Sequence, residues 1–163
     1  MLFRSGAAGG GADSAGVAGG GPLVRPPVAA DQAEVLGLDR AGFGASRASV
    51  LGALGRLAEQ VVVAADDGAV AGHGCAWRNL EVLAIGPVVA RDDGVARAMI
   101  EAMAARDGGP VRVDVPARHG LVSDWLAARG VPAVGSDPVM SYGGKALPGE
   151  RELVYGLYMQ AFG

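Results

Sequence analysis

Residues Arg91-Asp92-Asp93-Gly94-Val95-Ala96 join an apolar run, Val82–Ala90, to a segment with helical spacing. A strand that feeds a helix N-terminus through a short glycine-containing loop aims several backbone N–H groups at one point. Such a point suits an anion, phosphate above all. Two further residues could move protons. His119 sits at the start of an expected helix, just after a strand end, and an imidazole has an ordinary pKa of about 6.5. Asp114, within Val111-Arg112-Val113-Asp114-Val115, is a strand carboxylate between apolar neighbours and could serve as a base. His73 and Cys75 stand two apart on one expected strand and so share a face. A metal needs more ligands of suitable type than these two. No metal site is expected, and Cys75 reads as a buried apolar residue.

These groups need a scaffold, and the chain has the length and composition for one. It has 163 residues, half of them hydrophobic, with few aromatics and a net charge of −3. That permits one domain with a core of Val, Leu, Ala and Met. No basic run is present, which speaks against nucleic acid as a partner. A single cysteine precludes an intramolecular disulfide and points to a reducing, cytoplasmic setting. No apolar run approaches the roughly 20 residues of a membrane span. Met1-Leu2-Phe3-Arg4 turns at once to glycine, so no secretory signal is expected.

Residues 1–21 are rich in glycine and are expected as a disordered tail, with a domain over 22–163. Leu23–Arg25 reads as a short strand, ended by Pro26-Pro27. Asp31 and Glu34 have the spacing of a capping box for a helix over 31–40, and a second helix covers about 45–59. Val61–Ala65 is a strand, Asp66-Asp67-Gly68 a hairpin turn, and 69–78 the return strand. Val82–Ala90 is the next strand and 93–106 the next helix, ended by Asp107-Gly108-Gly109-Pro110. A strand over 111–115, a helix over 119–129 closed by Gly130, and strands over 131–142 and 152–159 complete the order. The pattern is α/β, with a mixed and mostly antiparallel central sheet flanked by helices.

Four local patterns carry a resemblance. Arg91-x-x-Gly94-x-Ala96 fits the Arg/Gln-x-x-Gly-x-Gly/Ala pyrophosphate loop of the GNAT-type N-acetyltransferases. The hairpin around Asp66-Asp67-Gly68, followed by Val70, Ala71 and Gly72, is similar to the same family's acidic-Gly hairpin. Between Val113 and Val131 the family writes strand, Asn, helix with Tyr, then Gly-Phe. Here those four positions hold His119, Leu126, Gly130 and Val131. Leu38–Gly44, Ile85-Gly86-Pro87 and Asp114-Val115-Pro116 resemble the branch that forms the C-terminal half of tandem GNAT proteins. The element order is also that of the GNAT fold, over roughly 23–163.

The resemblance implies acetyl-CoA as cosubstrate and a primary amine of a small molecule or peptide as acceptor. It implies that Val88 and Val89 pair with the pantetheine amides as an extra strand. The N–H groups from Arg91 through Gly94, Val95 and Ala96 would then hold the pyrophosphate, with Gly94 allowing close approach. A second GNAT domain or a homodimer is the implied protein partner. Two departures favour an alternative, a catalytically degenerate module with a CoA-binding or structural role. Leu126 stands where the family's proton-returning Tyr belongs, and the Asp92 and Asp93 carboxylates would repel a pyrophosphate unless turned away. The two readings differ in the cleft between 82–90 and 111–115, open in a working enzyme and filled in a structural module.

Overall fold

The computed structural model describes residues 2–4 and 21–159. Its elements are β1 (Leu2–Arg4), β2 (Leu23–Arg25), α1 (Gln32–Phe43), α2 (Ala48–Leu57), β3 (Gln60–Asp66), β4 (Ala69–Asn79) and β5 (Val82–Ala90). There follow α3 (Asp93–Asp107), β6 (Val111–Asp114), α4 (Gly120–Ala128), β7 (Ala133–Gly135) and β8 (Val154–Gly156). The strands form one sheet in the order β2-β3-β4-β5-β6-β1-β7, with β8 paired to β5 off that path. Only β5 and β6 run parallel among the described pairs, as the intervening helix α3 requires.

Local chemistry explains most boundaries. Asp67 and Gly68 both adopt positive φ, 48° and 84°, which suits the tight turn between β3 and β4. Asp92 caps α3, its side chain accepting from the Val95 N–H at 2.9 Å. Gly108, in the left-handed region at φ 69°, ends the same helix. The expected capping box at Asp31 does not form, because tertiary partners claim both carboxylates. Asp31 is gripped by Arg25 at 2.7 and 2.8 Å, and Glu34 accepts the Val70 N–H at 2.8 Å.

Three expectations need correction. The glycine-rich segment 1–21 contributes a strand at 2–4, antiparallel to both β6 and β7; residues 5–20 lie outside the described residues. The strand expected over 131–142 is only three residues long. Pro138 and the exposed run around it offer no ladder and no apolar face. The strand expected over 152–159 is likewise three residues, preceded by a single 3-10 turn at Arg151–Leu153.

The core lies mainly between the sheet and α3 with α4. Met99, Ile100 and Met103 of α3 pack with Val62, Leu83, Ile85 and Val88, and Val122 and Leu126 of α4 join the same cluster. On the opposite face Phe43 of α1 packs with Val89 and Val154. The sheet is therefore covered on both faces, and pairing with β4 along one edge of β5 leaves the other edge for the candidate site.

Candidate active site

Strand β5 ends at Ala90, and α3 begins three residues later. The Arg91 N–H is spent on the sheet, donating to the Ala71 carbonyl at 2.9 Å. The Val95 N–H goes to the Asp92 side chain, and the Ala96 N–H to the Asp92 carbonyl at 3.1 Å. Among the described residues, the N–H groups of Asp92, Asp93 and Gly94 have no partner within the chain. They are the orphan donors of a helix start and carry its partial positive charge. Of the six loop positions named from the sequence, the middle three thus keep donors for an anion. Arg91, Val95 and Ala96 have theirs committed.

Strands β5 and β6 are registered only from Leu83, Ala84 and Ile85 against Val111, Arg112 and Val113. Beyond that point β8 takes the free edge of β5, with Val88 opposite Gly156 and Val89 opposite Val154. The Leu157 N–H then donates to the Asp114 carbonyl at 3.0 Å. Residues 154–157 therefore bridge the two strands where they part. The chain's own backbone fills the cleft, on the Val88 and Val89 edge proposed for pantetheine. Two glycines make the fit. A Cβ on Gly86 would lie 2.0 Å from the Leu157 carbonyl oxygen, and one on Gly156 would lie 3.2 Å from Val88.

The two sequence-named proton carriers flank this strand. The His119 Nε2–H donates to the Val154 carbonyl at 2.9 Å, and the ring stacks on Tyr155 at 3.9 Å. Burial lowers the His119 pKa from its ordinary value, outweighing the hydrogen bond to Val154. His119 stands at the start of α4, buried, and makes no side-chain cap bond. Asp114 is also buried, its carboxylate held by Arg112 at 2.9 and 2.8 Å. Residues 112 and 114 share a strand face, so the pair is local. Leu126, at the family's Tyr position, is 2 % exposed in the core and has no proton to give.

A further cluster lies on the α1 face of the sheet. Asp39 of α1 accepts from Arg47 Nε at 3.0 Å and Nη2 at 2.6 Å, and the Arg47 guanidinium also stacks over Phe43. His73 of β4 brings its Nε2 to 3.5 Å from Asp39 Oδ1, too far to close a hydrogen bond. Burial opposes the Asp39 charge, yet His73 and Arg47 outweigh it and hold the carboxyl below its usual range. Beside the cluster is a cavity of about 190 Å³ walled by Val35, Leu51, Leu54, Val63, His73, Cys75 and Pro87, among others. In the sequence His73 stands out only as a candidate metal ligand. Its alternation with Cys75 gave the face correctly, but Asp39 and Arg47 reach it only through the packing of α1.

The comparisons with known proteins agree with this architecture. Residues 35–156 match the family model of the acetyltransferase (GNAT) domain. An uncharacterized N-acetyltransferase of Bacillus subtilis (strain 168), YitH, is 32% identical over 126 residues, covering 77% of this chain and 44% of YitH. The chain thus spans less than half the length of that relative. A GNAT family acetyltransferase from Brucella melitensis, solved in complex with acetyl-CoA, superposes with a TM-score of 0.50 at 19% identity. The superposition covers 89% of this chain and 100% of that one. The chain belongs to the GNAT acetyltransferase domain family.

Proposed function

We propose that this chain is an acetyltransferase domain that carries the acetyl group of acetyl-CoA to a primary amine of a small molecule or peptide. The observation that carries the reading is the set of three unpartnered N–H groups at Asp92, Asp93 and Gly94. They lie just past the C-terminal end of β5, beyond the point after Ile85 where β5 and β6 part. Family membership supplies the class of reaction. These donors fit a pyrophosphate. The β5 edge fits pantetheine only after residues 154–157 withdraw, because both need the same backbone groups of Val88 and Val89.

The chemistry is direct attack. The ammonium loses one proton, the amine nitrogen bonds to the thioester carbonyl carbon, the nitrogen gives up a second proton as the C–S bond breaks, and the thiolate takes up a proton in its place. Holding both reactants in line supplies much of the acceleration. With Leu126 unable to return the proton, His119 is the better of the two sequence-named carriers. Its lowered pKa keeps the ring neutral at physiological pH, and its Nε2 already points at the strand in the cleft. Asp114 is the lesser candidate because Arg112 occupies its carboxylate. A buried lone cysteine suits the reducing cytoplasm.

The filled cleft favours a second reading, in which the domain holds no cofactor and serves as an interaction module for a second GNAT domain or another copy of itself. Calorimetric titration with acetyl-CoA separates the two. Micromolar binding, lost in Gly94→Pro and accompanied by faster amide exchange over 154–157, supports the enzyme. Absence of binding to millimolar concentration by the folded protein refutes it and leaves the interaction module.

A further inference from the structure

Three arginines converge outside the loop and the cleft strand. Arg47 stacks on Phe43 with its guanidinium 3.2 Å from the ring centroid, and Arg151 lies over the same ring at 4.9 Å. Arg118 joins them, its Nη1–H donating to the Arg151 carbonyl at 3.2 Å. Their charges are not balanced. Asp39 takes Arg47 in two hydrogen bonds. Arg118 faces Glu152 at 3.8 Å, with that carboxylate side chain 81 % exposed, a pairing that contributes little. No carboxylate among the described residues pairs with Arg151, whose Nε–H donates to the Pro148 carbonyl at 2.9 Å. Burial, then the like charges of Arg118 and Arg47, lowers the Arg151 pKa, and a guanidinium stays charged all the same. A chain of net charge −3 thus gathers surplus positive charge at one spot, an imbalance that a bound anion offsets.

Position gives that anion an identity. Arg151 is anchored to α1 rather than to the cleft strand. The Glu150 N–H donates to the Ala41 carbonyl at 2.8 Å, and an added Cβ on Gly44 would run into the backbone of Pro148 and Gly149. Arg151 can therefore stay in place when residues 154–157 withdraw. Phe43 itself packs on Val89 and Val154, so one aromatic side chain separates the guanidinium groups from the stretch of β5 proposed for pantetheine. It does so on the face of the sheet opposite α3, away from the loop donors that suit pyrophosphate. We infer that Arg151, with Arg118 beside it, holds a carboxylate of the acceptor, and that the acceptor is a small amino acid whose amine and carboxylate stand a few carbons apart. The inference rests on the acetyl-transfer function proposed above and narrows its acceptor class. A planar guanidinium offers paired N–H donors that match the two oxygens of a carboxylate. The Phe43 ring sets the spacing, with the carboxylate on the arginines and the amine reaching past the ring toward Val89. Arg151 binds and orients; it moves no proton.

The test is an NMR titration of the isotope-labelled full chain, at low salt, with 4-aminobutanoate and with propylamine, which lacks only the carboxylate. Three variants accompany it, Arg151→Gln, Arg151→Lys and Arg118→Gln, each checked by a thermal melt. 4-Aminobutanoate is expected to shift the Arg151 side-chain N–H signal and the Phe43 amide, and to bind about tenfold more tightly than propylamine. Arg151→Gln should remove most of that preference while propylamine binds as before. Arg151→Lys keeps the charge and should retain part of it. Arg118→Gln, changed outside the 148–151 turn, should also lower it. Equal affinity for the two ligands, an unchanged preference in Arg151→Gln, or no binding of 4-aminobutanoate to millimolar concentration would overturn the inference. Weaker acetyl-CoA binding in Arg151→Gln would assign the cluster to a cosubstrate phosphate instead and overturn it too. Because amino-acid binding needs no acetyl-CoA, its failure is separate from failure of the acetyl-CoA titration. If the amine is also acetylated, Arg151→Gln should raise KM and leave kcat nearly unchanged.

Discussion

Replacing Gly86 by Ala tests whether residues 154–157 occupy the cleft. The new Cβ would start 2.0 Å from the Leu157 carbonyl oxygen and 2.7 Å from its carbon, where ordinary contact begins at 3.4 Å. Both atoms are backbone, so no rotamer change relieves the clash, and Leu157 must retreat by roughly 1.4 Å. That movement breaks the Leu157–Asp114 hydrogen bond and loosens the pairing of Val88 and Val89 with β8. Three backbone hydrogen bonds contribute about 1 kcal/mol each. Partial exposure of Val154 and Tyr155, now 1 % and 5 % exposed, adds about 1–2 kcal/mol. The expected loss is about 4–5 kcal/mol, a fall in Tm on the order of 10 °C. Thermal melts by circular dichroism give the magnitude, and hydrogen exchange of the amides over 154–157 gives the location. Gly55→Ala is the control, since its Cβ meets nothing and a helical Gly→Ala change stabilises by about 0.5–1 kcal/mol. If Gly86→Ala melts within about 2 °C of the parent and 154–157 stay protected, the strand does not lie in the cleft.

Three other outcomes are expected. Asp92→Ala should cost about 1 kcal/mol by removing the α3 cap. Asp92→Ser keeps the cap and removes a like charge beside the pyrophosphate position, so it should bind acetyl-CoA about threefold more tightly at little cost in stability; weaker binding by the Ser variant would contradict the assignment of that loop. Burial pushes the Cys75 thiol up to about 12, so at pH 8 the native protein should resist iodoacetamide while the unfolded chain reacts readily; fast native alkylation would refute the burial. The hydrogen bond from Arg25, then that from the Val28 N–H, lowers the Asp31 carboxyl from 3.8 to about 2. The depressed value means that this pair stabilises the fold fully above about pH 4 and loses its effect as pH falls toward 2. Asp31→Asn should therefore flatten the acid unfolding profile in that window, and an unchanged profile would count against the pair.

Local chemistry made several elements legible in advance. The hairpin at Asp66-Asp67-Gly68 follows from residues that tolerate positive φ, and the end of α3 follows from Gly108. The continuous apolar run of β5 signals a strand covered on both faces, and it is buried along its whole length. Leu126 was readable as core because its stripe has helical spacing. Where residues pointed beyond their own element, the sequence misled. Asp31 and Glu34 have capping-box spacing, but a salt bridge and a strand N–H draw them away.

Sequence by itself determined the strand–loop–helix at 82–107, its orphan donors and the family the chain resembles, because each rests on contacts within a few residues. Only tertiary structure decided what fills the cleft and which histidine meets a carboxylate. Pairing of β8 with β5 joins residues more than sixty positions apart, and so short a strand leaves almost no periodicity to read. The Asp39–Arg47–His73 cluster exists because α1 packs across β4. That packing is set by the shape of a shared core, which no spacing along the chain encodes.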